Sequence, residues 1–221
     1  MIASELIEES LPPLLGTETC EKAVSWMQEF KVFHLPIIDK NKFLGIVSEE
    51  DLLDSEDENK TILENEIPLL NVFVYEHQHI FEVMRFMADN KLSVIPILDK
   101  KDNYIGSTTL AHLMMLTTHT TFIQESGGII VLEISEKEYS LAEIAQIVES
   151  NNARILSSFI TSVPESTKME VTLKINRSEL GAILQTFDRY EYTVIESYQK
   201  ENEDRDVLEN RYKHLMKMLN L

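Results

Sequence analysis

The stretch His34–Lys40, HLPIIDK, returns sixty residues later as Val94–Lys100, VIPILDK. A second pair follows at nearly the same spacing, because Phe43-Leu44-Gly45 returns as Tyr104-Ile105-Gly106. The apolar centre of each stretch is typical of a buried strand, and the polar residues after it predict a turn into a second strand. A repeat that keeps its internal order predicts two copies of one structural unit.

An amphipathic helix is predicted before each strand pair, since apolar residues recur at the i, i+3, i+4, i+7 spacing. The apolar positions are Ala23, Trp26, Met27 and Phe30 in the first copy and Ile80, Val83, Met84 and Met87 in the second. Each copy therefore reads helix, strand, turn, strand, helix. We place the first copy at about residues 1–57 and the second at about 62–120, with the acidic residues 54–59 as a solvated connector.

A different pattern follows over residues 128–200. Strands are predicted at 129–134, 154–161, 169–175 and 192–198, and helices at 140–150 and from about 177 onward. The order βαββαβ is the ferredoxin-like arrangement, so the fold class is α/β (α+β). Ser140 and Glu143 are spaced as a capping box, and Asn176 is placed to cap the second helix. Residues 201–221 predict a helical tail with an apolar seam too short for an independent coiled coil.

The segment Gly45–Leu52, GIVSEEDL, together with Leu35–Asp39, LPIID, resembles the CBS motif. CBS motifs usually occur in pairs that fold into one α/β module with two clefts, and members of the family often bind adenosine compounds there. The resemblance implies that Ser48 and Asp51 hold the ribose hydroxyls. An aspartate three residues beyond a helix-opening serine is positioned to accept hydrogen bonds from a diol, and the helix N-terminus favours such a ligand.

The same spacing has a second explanation, since Ser48 and Asp51 also fit a plain helix cap. In the second copy Thr109 keeps the hydroxyl, whereas His112 stands where the aspartate is expected. A neutral imidazole accepts only one hydrogen bond, so the second cleft is either empty or binds its ligand through a phosphate near a cationic His112. The resemblance also assigns cleft-lining positions, some of them through backbone groups. These are His34, Leu35 and Pro36 in the first copy and Ile95 and Pro96 in the second.

The predicted βαββαβ unit resembles an ACT domain, a family that often binds amino acids at subunit interfaces. The similarity rests on the order of elements and on residues 149–155, ESNNARI, after the first helix. The turn before that helix reads Glu138-Tyr139-Ser140-Leu141, without the glycine that lets the backbone approach a ligand in that family. Dimerisation or packing is therefore the favoured role for this unit. The whole arrangement resembles stand-alone CBS–ACT proteins labelled acetoin-utilisation regulators.

The formal net charge of −18 disfavours binding to nucleic acid or to an anionic membrane. Cys20, the single cysteine, excludes an internal disulfide, and the first residues lack a signal-peptide pattern, so we expect a cytoplasmic protein. His77 and His79 supply two metal ligands at most, and no metal site is expected. The sequence contains no recognisable catalytic or phosphate-loop motif.

These observations predict a non-enzymatic sensor. An adenosine-containing ligand such as AMP, ATP or S-adenosylmethionine would bind in a CBS cleft and change the conformation of a homodimer, and no cofactor would be required. One alternative is a dimeric adaptor with vestigial clefts, which acts on an unknown protein partner. Another is amino-acid sensing through the ACT-like domain.

Overall fold

The computed structural model describes residues 1–55, 57, 59–162, 164 and 166–199. The chain divides into two compact units, with the boundary between Thr118 and His119. The tail predicted over residues 201–221, and part of the acidic connector, lie outside the described residues.

The first motif contains a three-stranded sheet in the order β1-β2-β3, in which β1 is parallel to β2 and β2 is antiparallel to β3. Helix α1 follows β1, and helix α2 begins directly after β3, as the repeat pattern predicted. The elements are β1 (Leu14–Leu15), α1 (Cys20–Phe30), β2 (His34–Asp39), β3 (Lys42–Ser48) and α2 (Glu49–Leu53).

The second motif repeats this arrangement, with a sheet in the order β4-β5-β6 and the same pairing directions. Its elements are β4 (Val74–Tyr75), α3 (Ile80–Asp89), β5 (Val94–Leu98), β6 (Tyr104–Thr109) and α4 (Leu110–Thr118). The equivalent strands β2 and β5 of the two motifs lie next to each other, so the repeats form one unit.

The segments that precede β1 and β4 each pack on the other motif. A short 3-10 helix, Ala3–Leu6, buries Ala3 and Leu6 in the core of the second motif. In the reverse direction, Ile62 and Ile67 belong to the core of the first motif. Backbone hydrogen bonds hold both segments: Glu8 N–H donates to Ser107 O at 2.9 Å, while Ile46 and Leu70 exchange two bonds of 2.8 Å. Each motif therefore completes its core with chain from the other.

Glycine allows these segments to approach the strands closely. A Cβ atom on Gly45 would lie 2.5 Å from Leu69 Cβ, and one on Gly106 would lie 2.5 Å from Ile7 Cγ2. Both distances are far below van der Waals contact, so the repeated glycines of β3 and β6 leave room for the exchanged segments.

The second unit has the predicted ferredoxin-like topology. Its four strands are antiparallel in the order β10-β7-β9-β8, and two helices share one core with the sheet. The short helix α5 (Thr121–Gln124) precedes them. The elements are β7 (Gly128–Ser135), α6 (Leu141–Ser150), β8 (Ile155–Ser162), β9 (Lys168–Ile175), α7 (Gly181–Arg189) and β10 (Thr193–Tyr198).

One half of the predicted capping box at α6 forms, and the predicted cap by Asn176 does not. Ser140 Oγ accepts a hydrogen bond from Glu143 N–H at 3.3 Å and so caps α6. The predicted cap by Asn176 is wrong, because α7 begins later, after Leu180. The Asn176 side-chain oxygen accepts from Arg154 N–H at 2.7 Å, so it fastens the start of β8 to the end of β9.

We expect Gly106→Ala to lower the free energy of unfolding of the first unit by about 1–3 kcal/mol, because the new methyl group overpacks against Ile7. Trp26, the only tryptophan, lies in this unit, so its fluorescence during urea unfolding reports the change. Gly181→Ala is the control, since a Cβ there would meet no atom within 4 Å. Equal free energies of unfolding for the two variants would show that the close approach of Ile7 to β6 does not need a glycine at position 106.

Candidate functional site

The first cleft places Ser48 and Asp51 together at the start of α2. Ser48 is the N-cap residue, and its Oγ accepts from Asp51 N–H at 3.1 Å while donating to Asp51 Oδ2 at 2.5 Å. The capping explanation of this spacing is therefore correct for the structure. The Asp51 carboxylate remains only partly buried, so the cap does not prevent it from meeting a ligand.

His34 lies beside this pair, because it is the residue opposite Ser48 in the β2–β3 ladder. Its Nδ1 accepts from Ser93 N–H at 3.2 Å and lies 3.1 Å from Ser93 Oγ. Ser93 Oγ also accepts from Phe33 N–H at 2.9 Å. A residue of the second motif thus joins two residues of the first by hydrogen bonds at the edge of the cleft.

Partial burial lowers the pKa of His34 from its ordinary value, and the negative charge of Asp51 opposes this shift without reversing it. His34 is therefore neutral near pH 7. Since Nδ1 accepts from the Ser93 backbone, the proton of the neutral ring is on Nε2. Nε2 is then a hydrogen-bond donor.

The four other strand positions assigned to the clefts lie in the protein interior. Leu35 and Ile95 are fully buried, each in the core of its own motif. Pro36 and Pro96 are also buried. In this structure their side chains lie in the packed interior beneath the strands that carry the clefts.

The second cleft has a hydroxyl and a carboxylate as well, but the carboxylate comes from elsewhere in the chain. Thr109 Oγ1 accepts from His112 N–H at 3.0 Å, which repeats the cap made by Ser48. The Thr109 hydroxyl donates to Glu8 Oε2 at 2.7 Å. Glu8 is held in place by its backbone bond to Ser107, on the strand that ends at Thr109.

A cavity of about 640 Å³ opens at this second cleft. Its polar lining includes Glu8, Ser93, Thr109 and His112, and its apolar lining includes Leu11, Phe30, Phe33, Leu110, Met114 and Met115. The volume lies within the range of about 300–1,000 Å³ typical of small-molecule sites, as does the combination of apolar walls with a few polar groups.

Sequence reasoning missed Glu8, and no local signal could have revealed it. Glu8 and Thr109 are 101 positions apart in the chain. The residue that occupies the equivalent place in the first cleft is Leu70, because Leu70 pairs with Ile46 on β3 as Glu8 pairs with Ser107 on β6. The first cleft therefore has its carboxylate on the helix, at Asp51, and the second has it on the exchanged segment.

His77 and His79 have structural contacts of their own. His79 Nδ1 accepts from Phe81 N–H at 3.3 Å and caps α3, while the His77 ring stacks on Tyr75 at 6.0 Å between centroids. Within the described residues, no group of three or more His, Cys, Asp or Glu side chains could hold a metal ion.

The second unit has a cavity of about 410 Å³ beside the turn that precedes α6. Four of its lining residues are the acids Glu133, Glu138, Glu143 and Glu191, and Lys168 is the only basic one. Lys168 Nζ forms an ion pair with Glu133, and Tyr192 donates to Glu143 at 2.7 Å. The cationic group of this cavity is therefore already paired.

A model of the CBS domain family matches residues 3–58 and 66–117. The chain contains a CBS domain pair. The two matches correspond to the two motifs of the first unit, and both clefts described above lie within this pair.

Solved structures with similar folds include a CBS domain pair/ACT domain protein from Thermotoga maritima. It is 19% identical, with a TM-score of 0.48, and the similarity covers 55% of this chain and 99% of that one. CBSX2, solved in complex with AMP, is 19% identical with a TM-score of 0.45, over 52% of this chain and 95% of that one.

A curated homoserine O-acetyltransferase from Methanosphaera stadtmanae is 27% identical over 101 residues. The match covers 45% of this chain and 21% of the acetyltransferase, so the chain spans about a fifth of that protein's length. Among the described residues, no helix is both long enough and apolar enough to span a membrane.

We expect the stability of the CBS pair to fall as the pH drops below about 6.5. The folded state holds His34 with a lowered pKa, so the unfolded chain binds this proton more readily. The contribution of His34 is complete above the pKa of the unfolded chain and is lost as pH falls from there toward the lower pKa of the folded state.

His34→Asn keeps an acceptor for Ser93 N–H and removes the titration, so it should flatten this part of the profile. Urea unfolding followed by Trp26 fluorescence between pH 7.5 and 5 measures the effect. His77→Asn, an exposed position in the same unit, is the control and should keep the wild-type slope. A wild-type slope in the His34 variant would mean that another group causes the pH dependence.

Proposed function

We propose that this protein is a non-enzymatic regulatory module that binds an adenosine-containing compound, such as AMP, ATP or S-adenosylmethionine, in a CBS cleft. The observation that carries this proposal is the hydroxyl–carboxylate pair at the start of α2, where Ser48 donates to Asp51 beside the half-buried His34. A ligand of this kind acts as a regulatory effector, so no permanently bound cofactor is required.

A ribose presents two neighbouring hydroxyl groups, and a carboxylate can accept a hydrogen bond from each of them. Asp51 is such an acceptor in the first turn of α2, and its carboxylate is only partly buried. The Nε2–H group of His34 supplies a donor nearby. Within a partly buried cleft these bonds are stronger than in water, and charge-assisted bonds are worth about 1.5–3 kcal/mol each.

Binding at this place would bias the arrangement of the two motifs. Ser93 of the second motif hydrogen-bonds to Phe33 and His34 of the first, so the edge of the cleft is also a junction between the repeats. A ligand that contacts this junction prefers one arrangement of the motifs and shifts the population toward it.

We further propose that the protein forms a homodimer through α4. Leu110, Met114 and Met115 expose about half of their surface, 50%, 56% and 51%, on this one helix. The same three residues line the cavity of the second cleft, so a ligand there would touch the dimer surface. Exposed clusters of large apolar side chains are typical of association sites, and methionine adapts to shifts in packing.

Met114→Glu combined with Met115→Glu should convert a dimer of about twice 25.5 kDa into a monomer. Light scattering coupled to size exclusion, over a range of concentrations, measures this. Phe81→Glu is the control, because Phe81 is 74% exposed on α3 and the change places one added negative charge outside α4. A wild-type protein that is monomeric at all concentrations would contradict the dimer.

The exposed apolar residues of α4 also favour the second candidate, an adaptor that binds a protein partner and no small ligand. Amino-acid sensing by the second unit is less well supported. The carboxylate of a free amino acid would be repelled by the four acids of the cavity beside α6, and the lysine there is already paired with Glu133. Cytoplasmic location, and the absence of nucleic-acid and membrane binding, stay predictions from composition.

The decisive experiment is calorimetric titration of the purified chain with AMP, ATP and S-adenosylmethionine. AMP is the first compound to test, because it is the ligand in the CBSX2 structure. Asp51→Asn keeps the backbone N–H that Ser48 caps and removes the carboxylate charge, so it should weaken binding at the first cleft on the order of ten- to a hundredfold.

Asp54→Asn removes the same charge from the exposed end of α2 and should leave the affinity unchanged. Unfolding midpoints of both variants provide the check on folding. If no adenosine compound binds the wild-type chain, the regulatory-ligand proposal is wrong and the adaptor is the better candidate. If Asp51→Asn binds as tightly as the wild type at every site, the assignment of Asp51 is wrong.

A further inference from the structure

The second cleft lacks the carboxylate that the first cleft has at Asp51, since His112 occupies the equivalent position. The cavity is nevertheless located at this second cleft, and a carboxylate lines it. That carboxylate belongs to Glu8, which lies outside both strand–helix motifs. It is bonded to Thr109, the residue equivalent to Ser48.

We propose that Glu8 supplies the missing carboxylate and makes the second cleft a binding site for a ribonucleoside. The vicinal hydroxyl groups of the ribose bind to Glu8, with Thr109 beside it. This inference rests on the proposed function, because it assumes the same class of ligand. It goes further in assigning to Glu8 the carboxylate of the second cleft, and with it the specificity for a diol.

The position of Glu8 is fixed by the fold. Its backbone N–H donates to Ser107 O at 2.9 Å, two residues before Thr109 on β6. Leu6 is fully buried in the core of the second motif, and Ile7 lies against Gly106. Glu8 is therefore held in place by its own backbone hydrogen bond and by the packing of the two residues before it. A preorganised acceptor of this kind loses little conformational entropy when a ligand binds.

The hydrogen bonds in the two clefts are equivalent in type. In the first cleft the Ser48 hydroxyl accepts from the backbone of α2 and donates to Asp51. In the second the Thr109 hydroxyl accepts from the backbone of α4 and donates to Glu8. Since both hydroxyls cap a helix and donate to a carboxylate, the chemistry required for a diol is present at both places.

The walls of the second cavity suit a purine base. Phe33 contributes an exposed aromatic ring, and Met114 and Met115 contribute polarizable apolar side chains. Aromatic and methionine side chains pack well against the face of a flat heteroaromatic ring. Lys31 and His112 also line the cavity and could receive a 5′-phosphate, so both the free nucleoside and its phosphate are candidates that the experiment must compare.

The site is best tested in the Asp51→Asn background, where the first cleft is weakened and the second is measured by itself. Calorimetric titration would use three probes: adenosine, AMP and 2′-deoxy-AMP. We expect one site per chain, with 2′-deoxy-AMP bound at least tenfold more weakly than AMP because one of the two hydroxyls is missing. Equal affinities for adenosine and AMP would show that the phosphate adds nothing to binding. A higher affinity for AMP would support a role for Lys31 and His112 in binding the phosphate. Both results are consistent with the contact between Glu8 and the diol.

Glu8→Gln in the same background should weaken AMP binding at least tenfold and abolish the difference between AMP and 2′-deoxy-AMP. Glu9→Gln is the matched control, since it removes the same charge from the next, exposed residue, and its affinity should stay within twofold. Unchanged AMP affinity in the Glu8 variant would overturn the inference. If that variant does not fold, the comparison of AMP with 2′-deoxy-AMP decides, and equal affinities would overturn it.

Failure of the inference is distinguishable from failure of the proposed function. If the wild-type chain binds AMP at one site and Asp51→Asn abolishes that binding, the proposed function stands and the second site is refuted. A wild-type chain that binds no adenosine compound would refute both.

Discussion

The exchange of leading segments between the two CBS motifs is the constraint on which the first unit depends. Ala3 and Leu6 fill the core of the second motif, while Ile62 and Ile67 fill the core of the first. Each sheet therefore buries part of its apolar face under chain from the other motif. The exchange also places Glu8 next to Thr109, so the same packing that stabilises the fold builds one of the two clefts.

Ser93 forms a small polar junction between the two repeats beside His34. Ser93 satisfies the backbone N–H of Phe33 and the ring nitrogen of His34, and burial keeps that ring neutral. A polar group inside a packed interface is costly unless it is fully hydrogen-bonded, so this junction tolerates only a narrow set of arrangements. For the proposed ligand-controlled module this restriction matters, because a small displacement at the junction changes which hydrogen bonds can form.

Much of the fold could be predicted from the sequence, because its signals are local. The repeat of His34–Lys40 predicted the paired strands, and the alternation in β9 predicted a half-buried strand. The cap that joins Ser48 to Asp51 could be predicted for the same reason, since a spacing of three at a helix start fixes their geometry. Their role in holding a ribose comes from the resemblance to the CBS motif and stays a prediction. Glu8 could not be found, because its role arises from a contact across 101 positions, and the Asn176 cap was mispredicted because a bond to Arg154 competes for the same side chain.

The cross-packed cores have a consequence for a single motif taken out of the chain. Such a fragment would lack the segment that covers its sheet, and two fragments could replace it only by exchanging their first residues. The stability of that pair would depend on concentration. In the intact chain the two motifs are covalently joined, so the exchange does not depend on concentration.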